Sequence, residues 1–341
     1  MKEKVGLALV GTWHVHTKGF IDKLNTLSNE KIEWKAVWDH DKDRGTKFAE
    51  QLNVPFIKQY EEILNDDAVD AVMIEAETNR HFELIIKAAK AHKHIFTDKV
   101  VAVTGEEAEE IREAVRGNNV KCVISHESLT IGAYQYAKHL ISAGELGELL
   151  SIYFRRSHGM AKTNRLPESW YDRSTAGGGA LIDLGVHGLS LLTFLGGLPE
   201  SVHARMKYVT KREVEDTATV SVSFKNSSLL GAAHTNLVSG ARGNLLEVTG
   251  TKGSLTILGE KNPDVFVDKG EGDGESLLVD QAVFATEGEV PVNLFIDFVL
   301  DQSDTRTELF GSGCDLDTAV TIVKMAEAAY ESEKSGKSVY I

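Results

Sequence analysis

Strict alternation of apolar strands with amphipathic helices over the first 125 residues constrains this chain more than any other feature. The run Val5-Gly-Leu-Ala-Leu-Val10 reads as a buried strand and Thr17–Leu27 as a helix. Ile32–Trp38 and Ala68–Ile74 read as further strands, separated by the helical stretch Asp43–Leu52 and the short Glu61–Leu64. The helix His81–Ala91, the strand His94–Phe96, the helix Thr104–Arg116 and the strand Val120–Ile124 continue the series. Elements in this order predict a parallel sheet with right-handed crossovers, a doubly wound Rossmann-type domain over residues 1–124.

Beyond residue 125 the pattern changes. A helix at Ala133–Ala143 and a strand at Leu149–Arg155 precede the glycine run Gly177–Gly179, which opens a helix at Ala180–Leu195. Alternating segments follow at Ser201–Thr210, Thr217–Phe224, Ser228–Asn236, Leu245–Gly250 and Ser254–Leu258, and predict a large open, mostly antiparallel sheet. Asp268–Glu275 reads as a solvated loop and Asp315–Ser335 as a last amphipathic helix. The expectation is an α/β chain with a second domain over 125–341, in keeping with its 341 residues.

Composition narrows the function classes. Hydrophobic residues make up 42% and charged residues 26%, which is ordinary for a globular chain. The formal net charge of -14 argues against nucleic acid as a partner. Only the middle stretch, 151–250, is slightly positive, which suits a polar or anionic small ligand or is ordinary surface variation. Cys122 and Cys314 stand far apart, so neither a disulfide framework nor a cysteine zinc site is expected. No run of apolar residues suggests a membrane span, and the segment before Gly11 lacks the apolar core and cleavage site of a signal peptide. A cytoplasmic protein without a membrane partner is therefore expected.

Three local patterns carry chemistry. The turn after the first strand, Gly11-Thr12-Trp13-His14-Val15-His16, has only the first glycine of the G-x-G-x-x-G dinucleotide fingerprint, and an ordinary strand–helix turn is the competing reading. Asp39 closes the second strand, where an acid accepts from adenosine ribose hydroxyls or serves as a turn residue. Lys99 follows the fourth strand at the edge where ligands of doubly wound sheets sit, although a surface lysine is the default. In Gly177-Gly-Gly-Ala-Leu-Ile-Asp183-Leu-Gly-Val-His187, Asp183 and His187 share one face of an apolar helix. That pairing suits a general acid/base, a satisfied structural pair, or two ligands of a metal whose other ligands the sequence does not name. No metal is assigned from it, although His14, His16, His81, His126 and His158 are among the histidines present.

Together these residues resemble the Gfo/Idh/MocA family, of the glucose–fructose oxidoreductase and inositol dehydrogenase type. Lys93-His-Ile-Phe-Thr-Asp98-Lys99-Val-Val-Ala-Val-Thr104 is similar to its G-K-H-V-x-x-E-K-P-x-A-x-T stretch, and Gly177–His187 to its G-G-G-A-L-x-D-x-G-x-H helix. The resemblance covers nearly the whole chain, with echoes at Ile141–Gly147, Val248–Ser254 and Ser335–Tyr340. It implies a nicotinamide-dependent dehydrogenase of a sugar, inositol or related polyol, and a homo-oligomer formed through the second sheet. It implies that Lys99 is the catalytic lysine, that Asp183 binds the reacting hydroxyl and that His187 moves its proton. The cofactor would rest against Gly11, Thr12, Trp13, His14, Asp39, Glu77, Asn79, Asp98 and Lys99, with Asp39 favouring NAD over NADP despite His40 and Arg44. Substrate contacts would come from His126, Arg156, His158, Trp170 and Tyr171, each of which also reads as a surface or packing residue.

Three positions depart from the family pattern. Trp13 and His16 replace fingerprint glycines, Val100 stands where a proline follows the lysine, and Ala76-Glu77-Thr78 replaces a T-P-N turn. Glu77 would repel a phosphate, so it is expected to face the ribose or solvent. The altered turn also admits a regulator of the same fold that binds without turnover, and an NAD-assisted hydrolase or lyase is a further alternative.

Overall fold

The computed structural model describes residues 3–240, 243–260, 262–270, 276–284, 290–301, 311 and 313–341. Residues 271–275 of the expected acidic loop lie outside them. The described residues divide between two compact units, one within Met1–Glu127 and Glu289–Val323, the other within Ser128–Gly288 and Lys324–Ile341.

In the first unit, β1 (Val5–Val10), β2 (Ile32–Trp38), β3 (Ala71–Ile74), β4 (His94–Asp98) and β5 (Cys122–Ser125) form a sheet of order β2-β1-β3-β4-β5. Every pairing in it is parallel. Between the strands run α1 (Thr17–Leu27), α2 (Lys42–Leu52), α3 (Tyr60–Leu64), α4 (Thr78–Lys90) and α5 (Gly105–Gly117). A single parallel bridge between Val37 and Phe56 adds a vestigial edge beyond β2. Counting it, the order is the Rossmann one, and the strand sequence reverses between β1 and β3. All of β1 is buried, as a parallel strand covered on both faces must be.

Local chemistry fixes the helix starts. Asp41 caps α2 by accepting from the amides of Asp43 and Arg44, and Thr104 with Glu107 forms a capping box on α5. Glu77 precedes α4 without capping it, so its carboxylate is used elsewhere. The core joins Leu7, Leu9, Phe20, Leu24, Met73 and Phe96, with Phe20 and Phe96 edge to face at 5.2 Å.

The second unit holds β6 (Leu149–Ser157), β7 (Pro199–Lys207), β8 (Thr217–Phe224), β9 (Leu230–Asn236), β10 (Gly243–Gly250), β11 (Ser254–Leu258), β12 (Asp264–Asp268), β13 (Leu277–Leu278) and β14 (Val339–Tyr340). Their order is β13-β12-β11-β10-β6-β9-β8-β7-β14, and among these pairs β6–β9 alone is parallel. On β8, Ala218, Val220, Val222 and Phe224 are buried while Thr219 and Ser221 are exposed, so one face is packed and the other open. The helices α6 (Gly132–Ser142), α7 (Arg173–Ala176) and α8 (Val186–Gly196) belong to this unit, with α8 against the packed face.

A split at residue 124 alone misses α9 (Pro291–Val299), whose Val292, Phe295 and Ile296 enter the core of the first unit. The chain then runs into α10 (Leu316–Ser335), whose second half belongs to the second unit. Among the described residues one helical stretch, Arg173–Gly196, is long and apolar enough to cross a membrane, and it is mostly buried inside the protein, as a core helix is.

Candidate active site

The carboxyl ends of β1, β3 and β4 converge at the point where strand order reverses. Gly11 leaves β1 with φ +75°, and a Cβ there would stand 2.5 Å from Ala76 Cα in the turn after β3. The two strand-end turns therefore touch with no room for a side chain. The amides of Trp13 and His14 both donate to the Glu75 carbonyl, at 2.9 and 3.1 Å. No acid occupies the first turn of α1, which keeps that helix N-terminus compatible with an anion.

At the end of β2 the Asp39 carboxylate is buried and crowded with donors. It accepts from Thr12 Oγ1 at 2.6 Å, from the Asp41 amide at 2.9 Å, and from Arg44 Nε and Nη2 at 2.8 and 2.7 Å. Arg44 Nη2 also lies 3.0 Å from Glu77 Oε1, and His40 Nδ1 stands 3.4 Å from both carboxylates. Burial works against the Arg44 charge, yet Asp39 and Glu77 outweigh it and raise its pKa. Glu77 thus does not face solvent: it is buried and held by the Arg44 guanidinium, with His40 and Arg80 close by. Asn79 sits in the first turn of α4.

Asp98 at the end of β4 is the hub of a buried cluster. Its Oδ2 lies 2.8 Å from both His14 Nδ1 and His16 Nδ1, and its Oδ1 accepts from the Lys99 amide at 2.7 Å. Burial pushes Asp98 up, but the charges and hydrogen bonds of the two imidazoles outweigh it and hold the carboxyl well below the usual range. Glu75, fully buried beside it, is raised well above the usual range by burial and by the Asp98 charge. His81 contacts Ala76 O and Val100 O through its two ring nitrogens at 3.1 and 2.8 Å, tying the turn after β3 to the residue after Lys99. Lys99 is itself buried and joined to Val100 by a cis peptide. His126, beyond β5, is buried and lowered by burial to about 4, so it is neutral at ordinary pH.

In the second unit the glycine run opens a π turn, Leu181–Gly185, that leads into α8. Asp183 therefore stands on a π turn and His187 on an α-helix, and such turns recur at functional sites. Buried Glu215 anchors this start, accepting from the Leu181 amide at 2.9 Å, the Gly179 amide at 3.2 Å and Tyr330 O–H at 2.9 Å. His187 Nδ1 lies 2.8 Å from Ser128 Oγ, which also accepts from Arg156 Nη1 at 2.9 Å. Arg156 continues to Glu260 at 3.1 Å, completing a chain of four side chains that ends on the imidazole.

Of the other expected substrate residues, His158 Nδ1 accepts from the Met160 amide at 3.3 Å, so that nitrogen serves the loop after β6. Trp170 and Tyr171 are buried, with Arg212 stacked 3.7 Å from the Tyr171 ring. Lys99 belongs to the first unit, and Asp183, His187 and Arg156 to the second. Sequence reasoning passed over Ser128, Glu260 and Glu75, none of which lies in a recognisable motif.

A Rossmann sheet with an acid closing β2, a left-handed glycine closing β1 and a helix N-terminus free of acids has the form of a dinucleotide-binding domain. Comparison with known proteins makes this specific: residues 5–126 match a model described as an oxidoreductase family with an NAD-binding Rossmann fold, and residues 134–256 match the GFO/IDH/MocA C-terminal domain. Those matches together span well over half of the chain, which belongs to the Gfo/Idh/MocA oxidoreductase family. The scyllo-inositol 2-dehydrogenase (NAD(+)) of Bacillus subtilis is 27% identical, over 72% of this chain and 72% of its own. An uncharacterized oxidoreductase of Synechocystis is 29% identical over 68% of this chain and 66% of its own. The 2,7-anhydro-N-acetylneuraminate hydratase of Escherichia coli is 27% identical over 65% of this chain, which spans 63% of that protein. Among solved structures, a levoglucosan dehydrogenase in complex with NADH and levoglucosan superposes with a TM-score of 0.83 at 20% identity, covering 99% of each chain. At that identity the likeness is one of fold.

Proposed function

We propose that this protein is an NAD-dependent dehydrogenase of a sugar, inositol or related polyol. The observation that carries the reading is the side-chain chain Glu260–Arg156–Ser128–His187, which fixes a buried imidazole through its Nδ1. The nicotinamide, when bound, supplies the hydride acceptor. His187 takes the proton of the reacting hydroxyl at Nε2 while Ser128 holds Nδ1. Lys99 polarises the hydroxyl oxygen and Asp183 orients it. Gly11, Thr12, Trp13, His14, Asp39, Glu77, Asn79, Asp98 and Lys99 are assigned to the cofactor. NAD is preferred because a 2′-phosphate would meet Asp39 and Glu77, two buried carboxylates sharing Arg44. His126, Arg156, His158, Trp170 and Tyr171 are assigned to the substrate, and a homo-oligomer to the open face of the second sheet.

Steady-state NADH production from a polyol panel tests the reading. Lys99→Ala and His187→Ala are each expected to lower kcat by at least about 100-fold with unchanged circular dichroism, and wild-type rates in both reject these roles. A second reading rests on the relative named as a hydratase: addition or loss of water with no net redox. Product formation without accumulated NADH selects it.

A further inference from the structure

The cluster beneath the first turn has the composition of a metal centre. His14 Nδ1, His16 Nδ1 and Asp98 Oδ2 lie within 4.8 Å of one another, with both imidazoles aimed at the same carboxylate oxygen at 2.8 Å. His14 and Asp98 are buried and the His16 ring is partly exposed, which leaves a route for entry. Two further features favour a cation here. Glu75, with no exposure, has Oε2 4.0 Å from His14 Nδ1, while its Oε1 has no hydrogen-bond partner. A buried polar oxygen without a hydrogen-bond partner is costly, and a nearby water or ion would satisfy it. His14 Nδ1 also lies 3.3 Å from the His16 amide, which requires a lone pair there, while Asp98 requires a proton. One nitrogen cannot supply both; an ion that takes its lone pair also satisfies the carboxylate, at the expense of the longer 3.3 Å contact to the His16 amide.

We propose that His14, His16 and Asp98, with Glu75 close beside them, form a three-ligand site for a divalent transition ion of the zinc(II) class. Two imidazoles with carboxylates are the donors such an ion selects, and ligand bonds of about 2.0–2.2 Å separate tetrahedral neighbours by roughly 3.3 Å. The 2.8 Å separations then open by about half an ångström on binding. The Asp98 carboxylate offsets one of the two charges of the ion. The Lys99 ammonium acts against it and Glu127 acts with it, while both ring nitrogens of nearby His81 are engaged by carbonyls.

The test uses the full chain, stripped with chelator and titrated with cobalt(II) alone, then with zinc(II) in competition. One equivalent is expected, with d–d absorption of tetrahedral intensity that zinc abolishes. His16→Asn, at a partly exposed helix cap that tolerates asparagine, is expected to weaken binding by more than the roughly 10–100-fold that loss of an outer partner costs. Glu75→Gln is expected to weaken it less, and circular dichroism shows that each variant is folded. Absence of stoichiometric binding by the folded wild type overturns the proposal, as does an unchanged spectrum in both His16→Asn and Asp98→Asn. Neither readout involves NAD or a polyol, so failure here leaves the dehydrogenase reading standing.

Discussion

Gly11→Ala tests whether the crossing of the β1 and β3 turns is as tight as the geometry requires. Two contributions add. Alanine at φ +75° enters the left-handed region, at a cost of about 1–2 kcal/mol. Its Cβ would also stand 2.5 Å from Ala76 Cα and 2.6 Å from Ala76 N, so backbone must move, which costs about 1–3 kcal/mol by analogy with overpacked cores. The expected loss is about 2–5 kcal/mol. Urea denaturation followed by tryptophan fluorescence reads it, because Trp13, Trp34 and Trp38 lie in the first unit and Trp170 alone in the second. Gly144→Ala, in the second unit and read there through Trp170, is the control: its φ is +72° with nothing within 4 Å, so it isolates the first contribution. A Gly11→Ala loss no larger than that of Gly144→Ala would refute the close approach, and with it the claim that this turn is built around a bare backbone.

Glu215→Ala removes the acceptor of the Gly179 and Leu181 amides and of Tyr330 O–H, and is expected to cost about 2–5 kcal/mol in denaturant titrations, whereas Glu215→Gln retains an acceptor and costs less. Burial raises the Glu215 pKa above its ordinary value, so the folded chain holds that proton more tightly than the unfolded one. Its contribution is therefore full below the unfolded pKa and is lost as pH rises through the folded value, so wild type should lose stability relative to Glu215→Gln across that window. A wild type that gains on the variant with rising pH contradicts the sign. Asp39→Ser removes a carboxylate beside Arg44 and is expected to move the NADP-to-NAD affinity ratio about tenfold toward NADP, or about 1.4 kcal/mol by calorimetry. An unchanged ratio rejects the ribose role.

The doubly wound half of the fold was legible because its signals are local. Buried strand runs and helix periodicity sit within single elements, and the β1, α1 and β2 boundaries coincide with the expected ones. β3 begins at Ala71 instead of Ala68, because only the residues beside β1 and β4 find parallel partners. What periodicity misses is pairing across the chain. α9 is not singled out by the sequence, since a short apolar segment suits a helix in either unit, and its contact with Phe96 and its neighbours assigns it to the first. The edge strands β13 and β14 have two residues each, too few to alternate. The same limit applies to the site. His16 and Asp98 are 82 positions apart, and Ser128 and His187 are 59 apart, so neither pairing leaves a spacing to detect.

The Gly177–His187 stretch shows why a motif can be strong for two unrelated reasons. A Cβ on Gly178 would meet Tyr330 Oη at 2.0 Å, and one on Gly179 would meet Glu215 O at 2.2 Å. The glycines are there so that Glu215 and Tyr330 can close over the helix start, which leaves the first amides satisfied by a carboxylate instead of water. That requirement holds for any chain with this packing, active or not. Asp183 and His187 answer to a different demand. The π turn sets the register between them, and Ser128 with Arg156 fixes the Nδ1 edge of the imidazole, an arrangement that the helix start does not need. The glycines therefore report the fold, and the functional reading stands on the aspartate, the histidine and the polar chain behind it.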